Sequence, residues 1–447
     1  MNSSNQYIDL YEQARDMIFR HSTQPMNAVR DAAFEDFKRL GLPNRKVEKY
    51  KYTDISKLFE PDYGVNLNRL EIPVDPYEAF KCDVPNLSTS LYFVVNDAFY
   101  TKALPKSHLP EGVVVGSLAA ATAENPDFIA KYYAQLAKTA DDGINALNTM
   151  LAQDGLFVYV PKNVKVDRAI QIINILRSDV DMMVNRRVLI VVEEGAEVKL
   201  LFCDHSADDC NFLATQVIEA YVGDNAALDL YCLEETHAKN VRVSNLYIDQ
   251  KANSRVNHNV ITLHNGITRN TTTLTFSGEG SECMLNGCVI ADKHQHVDNH
   301  TVIDHKVAHC TSKELYKYVL DGEATGAFAG RVVVREGAQK TTSEERNQNL
   351  CITKEARMYT QPMLEIYADD VKCAHGSTVG QLNDAALFYM QQRGISQKEA
   401  KLLLEFAFIN EVVDTIQLAP LRDRLHHLVE KRFRGELSKC VGCKLCR

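Results

Sequence analysis

One turn pattern recurs along the middle of the chain and limits what that region can become. From Leu156 onward, runs of β-branched and aromatic residues are separated by acidic or glycine-containing turns. Glu194-Gly195-Ala196, Asp224-Asn225-Ala226, Gln250-Lys251-Ala252 and Glu279-Gly280-Ser281 each follow one strand run and precede another. Their third residues fall at 196, 226, 252 and 281, a loose period of 26 to 30 residues. A period of that size implies stacked structural units, and two strands with two turns fill one coil of a β-solenoid. A β-sandwich, with turns every ~8–12 residues, is equally compatible with the strand runs. Periodicity alone leaves the two open.

Helical patterns flank this region. Tyr7, Leu10, Tyr11, Ala14 and Ile18 form one amphipathic stripe. Val29, Ala33, Phe37 and Leu40 form a second, stopped by Gly41 and followed by Pro43. Leu91–Val95 and Val113–Val115 read as strands, and residues 126–152 as two helices broken at Asp141-Asp142-Gly143. After Asn383 the period becomes helical again. Ser396-Gln397-Lys398-Glu399 reads as a capping box, and Pro420 suits the first turn of a last helix. The helix between them is apolar on nearly every side and must be covered on nearly every side. The expected organisation is an N-terminal helical and mixed region over 1–155, a β core over 156–380, helices over 381–435 and a cysteine-rich tail over 436–447.

Cys373 and His375 stand where the strand period gives way to the helical one. Residues i and i+2 of a strand share a face, so thiol and imidazole can address the same ion. Two ligands do not close a site. The alternative is a buried thiol beside a hydrogen-bonded histidine.

The surrounding segment Asp369-Asp370-Val371-Lys372-Cys373-Ala374-His375-Gly376-Ser377-Thr378-Val379-Gly380 resembles a motif of the SufB/SufD family, scaffolds of SUF iron–sulfur cluster assembly. It follows D-D-V-K-C-x-H-G-A-T-V-G with Ser377 in place of alanine. His375-Gly376, where B-type members carry His-Glu, places the likeness with the D branch, SufD. The likeness extends to Asp298-Asn299-His300-Thr301, Lys340-Thr341-Thr342, Asn347-Gln348-Asn349-Leu350 and Gln392-Arg393-Gly394-Ile395. Glu48-Lys49-Tyr50-Lys51-Tyr52-Thr53 resembles the family's E-x-W-K-Y-T, with Tyr50 for tryptophan in a chain that has none. We expect these aromatics to dock the N-terminal helices onto the core.

The resemblance implies a mainly β fold, a right-handed parallel β-helix core between helical domains. It implies a non-enzymatic scaffold that pairs with SufB and binds the ATPase SufC, with a transient Fe–S cluster at the SufB interface. His375 first and Cys373 second are the implied cluster-assembly residues. For SufC, the apolar helix suggests Leu403, Phe406, Phe408, Ile409 and Val412. A homodimer of the isolated chain stays open.

Cys440, Cys443 and Cys446 form C-x-x-C-x-x-C, a spacing able to hold iron or zinc if another group completes it. His294, His296, His300, His305 and His309, followed by Cys310, are too irregular for one geometry and are expected to be neutral residues at turns. No G-x-x-x-x-G-K-[ST] phosphate loop is present, so no nucleotide is expected on this chain. A net charge of −9 argues against nucleic acid. No apolar run is long enough for a membrane span, and no signal peptide is seen. We therefore expect a cytoplasmic chain whose 12 cysteines are thiols or ligands. The rival functions are a stand-alone metal-binding protein using the tail and a β-solenoid carbohydrate enzyme.

Overall fold

The computed structural model describes residues 3–76, 90–105 and 109–435. Its centre is a parallel β-solenoid of about eight turns. Strands alternate between two facing sheets. Sheet 1 runs from Gly155–Val160 through Met182–Val192, Phe212–Val222, Val241–Gln250, Ile267–Phe276, His296–His305 and Thr325–Val334 to Arg357–Ile366. Sheet 2 runs from Ile170–Leu176 through Glu197–Ser206, Ala227–Glu235, Arg255–His264, Glu282–Ala291, Thr311–Leu320 and Thr342–Cys351 to Lys372–Gly380. The sandwich alternative is excluded, because every pairing within this series is parallel.

The turn period has a backbone cause. Gly195, Asn225, Asn253 and Gly280 all adopt positive φ, between 54° and 73°. Glycine and asparagine tolerate this left-handed corner at little cost. The third corner falls at Asn253, just beyond the Gln250-Lys251-Ala252 triplet that marks it in the sequence. Each corner hydrogen-bonds to the next coil: Gly195 N to Asp224 O at 2.8 Å, Asn225 N to Ala252 O at 2.8 Å and Asn253 N to Glu279 O at 2.9 Å. The series continues at His309 and Lys340, also left-handed, whose amides donate to Gln339 O and Asp370 O.

Inside the coils lies one apolar core containing Val158, Leu200, Leu228, Leu274, Phe328 and Val332. Each sheet also has an apolar outer face. The N-terminal region covers sheet 1. Tyr7, Tyr11, Phe37, Tyr50, Ile144 and Leu147 pack there with Met183, Leu213 and Val243. The C-terminal helices cover sheet 2. Ile409, Val412, Val413, Ile416, Leu425 and Val429 pack on Leu201, Tyr231, Ile261 and Ile290.

The N-terminal region also extends both sheets. Ser90–Val95 pairs with Ile170–Leu176, and Val114–Ser117 runs antiparallel to Gly155–Val160. At the other end, Arg357–Ile366 and Lys372–Gly380 are the last strands, and no further strand pairs with them among the described residues. The solenoid is capped at its start and open at its finish.

Buried ion pairs fasten the cover to the coils. The fully buried Arg187 donates to Glu219 at 2.5 Å and lies over the Tyr133 ring. Glu219 also accepts the amides of Ala134, Leu136 and Ala137, tying that loop to sheet 1. Replacing Glu219 with alanine leaves a buried guanidinium without its anion and frees three amides. We expect Glu219→Ala to cost about 3–5 kcal/mol, read as a lowered denaturant midpoint. A change under about 0.5 kcal/mol would show that the pair carries no net stability.

Candidate functional site at the open end of the solenoid

Lys372–Gly380 is the terminal strand of sheet 2 and, among the described residues, is hydrogen-bonded on one edge only, to Thr342–Cys351. Its register sets Cys373 opposite Ser343 and His375 opposite Glu345. The two candidate ligands therefore share the face that points toward the solenoid interior. Cys373 is half-buried against the interior core, and burial pushes its thiol pKa up. A metal would have to displace that proton, because the thiolate is the ligand. His375 is exposed. Among the described residues no group of three or more His, Cys, Asp or Glu side chains is placed to hold a metal ion. Cys373 and His375 thus supply part of a coordination sphere and no more.

Two rows of side chains continue inward beneath this pair. Below Cys373 come Ser343, Ser312 and Cys283 in register. Ser312 donates to Ser343 at 2.8 Å and lies 2.9 Å from His305 Nε2. Below His375 come Glu345 and then Glu314. Both carboxylates are buried, and their pKa values are raised by desolvation. The neighbouring charge of Glu314 raises Glu345 further. This acidic row is absent from the motif-based expectations. The two glutamates lie a whole coil apart in sequence, and only the stacking brings them together.

The histidine run does not converge. His294 is exposed at a turn, 3.3 Å from Glu323. His296 lies 2.8 Å from the Thr53 hydroxyl. His300 is buried with its pKa pushed down to about 3, and His305 is buried with its pKa pushed down to about 4. Desolvation is the leading cause in both cases, and it favours the neutral ring.

The Glu48–Thr53 segment docks on the outer face of sheet 1, as its aromatics suggest. The Tyr50 hydroxyl donates to Asp142 at 2.9 Å, and Arg269 lies over the Tyr50 ring at 5.0 Å. Thr53 donates to Asp298 at 2.6 Å, and Arg269 pairs with Asp298 at 2.7 Å. Tyr52 stacks on Tyr359 at 5.0 Å and donates to Gln361 at 3.0 Å. This segment therefore also props the last strand of sheet 1.

The suggested ATPase-binding residues divide. Ile409 and Val412 are fully buried against sheet 2 and offer no outer surface, which corrects the expectation for these two. Phe406 is half-buried against His426, and Phe408 against Lys317. Leu403 remains exposed, joined by Phe388 and Tyr389 on the preceding helix, Asp384–Gln392. The capping box is half formed: Ser396 accepts from the Glu399 amide, while the Glu399 side chain turns to Arg434. Cys440, Cys443 and Cys446 lie outside the described residues.

Because Glu345 is protonated more readily folded than unfolded, the folded state binds the extra proton. Its contribution is complete below the ordinary carboxylate range and is lost as pH rises through the raised folded value. We expect stability in the presence of a chelator to fall from mildly acidic to mildly alkaline pH. Glu345→Gln, neutral and isosteric, should flatten that slope in thermal melts. An identical slope in the variant would remove Glu345 as its source.

Residues 1–172 match the family model for the SufBD protein N-terminal region, and residues 174–408 match that for the SUF system FeS cluster assembly SufBD core domain. An iron–sulfur cluster assembly SufBD family protein of Synechocystis is 28% identical over 415 residues, covering 91% of this chain and 88% of its own. The iron–sulfur cluster assembly protein SufD of Escherichia coli is 27% identical over 403 residues, covering 89% and 90% respectively. The SufD of Bacillus subtilis is 25% identical over 412 residues, covering 91% and 93%. With a core model matched across more than half its length and a solenoid whose last strand carries the Cys373/His375 pair, the chain belongs to the SufBD family of SUF iron–sulfur cluster assembly proteins.

Proposed function

We propose that the chain is a non-enzymatic scaffold subunit that pairs, through the open end of its solenoid, with a SufB-type paralogue and builds a nascent Fe–S cluster across that junction. The observation that supports this most directly is the terminal strand itself. Among the described residues it leaves one edge unpaired, and it carries two potential ligands that cannot complete a site alone. An unpaired edge is a template for a second chain. A partner strand would supply hydrogen bonds and the remaining ligands together. The cluster is cargo, formed at the junction and handed on. Without the paralogue, a second copy of this chain could meet the same edge.

The test uses the chain co-expressed with a SufB-type paralogue and a SufC-type ATPase. His375 is exposed on an edge strand, so His375→Ala should change stability by no more than about 1 kcal/mol. We expect the complex to survive size-exclusion chromatography and its iron and acid-labile sulfide to fall to background. Cys373→Ser should show a weaker loss. Normal cluster content in His375→Ala would refute the ligand role, and a collapsed melting temperature would assign His375 to the fold.

The SufC-type ATPase is proposed to dock on the C-terminal helices, where Phe388 and Tyr389, each at least 60% exposed, join Leu403. ATP-driven movement of the ATPase would then shift the paired solenoid ends. Phe388→Glu with Leu403→Glu should abolish ATPase pull-down and leave the circular dichroism of the β core unchanged. Undiminished pull-down would move the contact elsewhere.

A further inference from the structure

We propose that Glu314 and Glu345 form an internal seat for one small divalent cation, inside the solenoid and directly beneath the terminal strand. The two residues are register partners on adjacent strands of sheet 2, so their side chains stack on one face. Glu345 crosses the interior toward sheet 1. A Cβ built on Gly330 there would lie 2.3 Å from Glu345 Oε1, so glycine leaves the space that the carboxylate occupies. Glu314 is 2% exposed and Glu345 0%. Among the described residues none of their four carboxylate oxygens has a well-formed hydrogen bond. From sheet 1, the Thr301 hydroxyl, 1% exposed, lies close enough to favour the ionised form of Glu314. It too completes no well-formed hydrogen bond.

Buried carboxylates are normally paired with a cation or satisfied by donors. The cationic side chains on the same two strands of sheet 2 turn outward instead. Lys317 pairs with Glu411, and Arg346 with Glu344 and Glu411. Two buried carboxylates with no cationic partner among the described residues and an adjoining hydroxyl, all hard donors, suit a magnesium-, manganese- or ferrous-type ion completed by water. Binding expels any proton held by the pair to solvent, so occupancy should rise with pH. The seat is built from this chain alone and does not depend on the partner proposed above.

The probe is Mn2+, which thiolates do not select, added to the full chain after chelation and followed by equilibrium dialysis and by melting temperature. We expect one Mn2+ per chain and a rise in melting temperature at mildly alkaline pH. Glu314→Gln and Glu345→Gln should each weaken binding by roughly ten- to a hundred-fold or more. The triple Cys440→Ser, Cys443→Ser, Cys446→Ser variant should bind Mn2+ as the wild type does, which separates the seat from the tail. Undiminished Mn2+ binding in folded Glu314→Gln and Glu345→Gln would overturn the proposal. So would a wild type that binds no Mn2+ and shows the infrared carbonyl band of a protonated carboxyl that disappears in Glu345→Gln, since the pair would then be holding a shared proton.

Discussion

A parallel sheet has to be buried on both faces, and this constraint organises the molecule. Coiling two parallel sheets face to face buries one side of each and leaves two apolar outer walls. The N-terminal helices and the Glu48–Thr53 segment cover one wall, and the last two helices cover the other. Charged groups bolt the N-terminal cover down at buried points, including Arg187 with Glu219 and Arg269 with Asp298. Each bolt is costly to break because the surviving partner stays buried. Cover and pairing both run out at the final coil, where the candidate ligands lie.

The same logic explains the polar interior near the open end. In the middle coils the inner face is largely apolar, apart from a buried network in which Arg186 and Arg242 pair with Asp204 and Glu234. In the last coils it turns to Ser312, Ser343, Glu314 and Glu345. An aliphatic lining at an uncapped end would expose a greasy cross-section to water. A polar lining tolerates the opening and places oxygen donors next to Cys373 and His375.

How much could be read from the sequence follows from distance along the chain. The corners at Gly195, Asn225 and Gly280 are visible because glycine and asparagine announce a left-handed turn. The corners at His309 and Lys340 are not, because the stacked coils impose there a conformation that those residues rarely choose alone. Cys373 and His375 are legible as a pair because a strand period relates them directly. Glu314 and Glu345 are illegible, since only the register of successive coils brings them together. The helix Gln397–Val413 is apolar nearly all round, so its pattern could not say that Ile409 and Val412 face the solenoid while Leu403 faces solvent.

Only residues 381–383 separate the terminal strand from the helix Asp384–Gln392, whose one buried residue is Leu387. The two later helices are anchored on sheet 2, and Arg432 reaches Leu263 O at 2.5 Å. Load applied to the helix Asp384–Gln392 is therefore shared between the strand that bears His375 and the anchored helix Gln397–Val413, against which it packs. Its effect depends on direction. Tension along the strand axis shears every ladder bond with Thr342–Cys351 at once, and such an arrangement resists strongly. Tension across the axis opens those bonds one after another from Gly380, like a zipper. The connection thus acts as a mechanical filter, stiff to one pull and yielding to another.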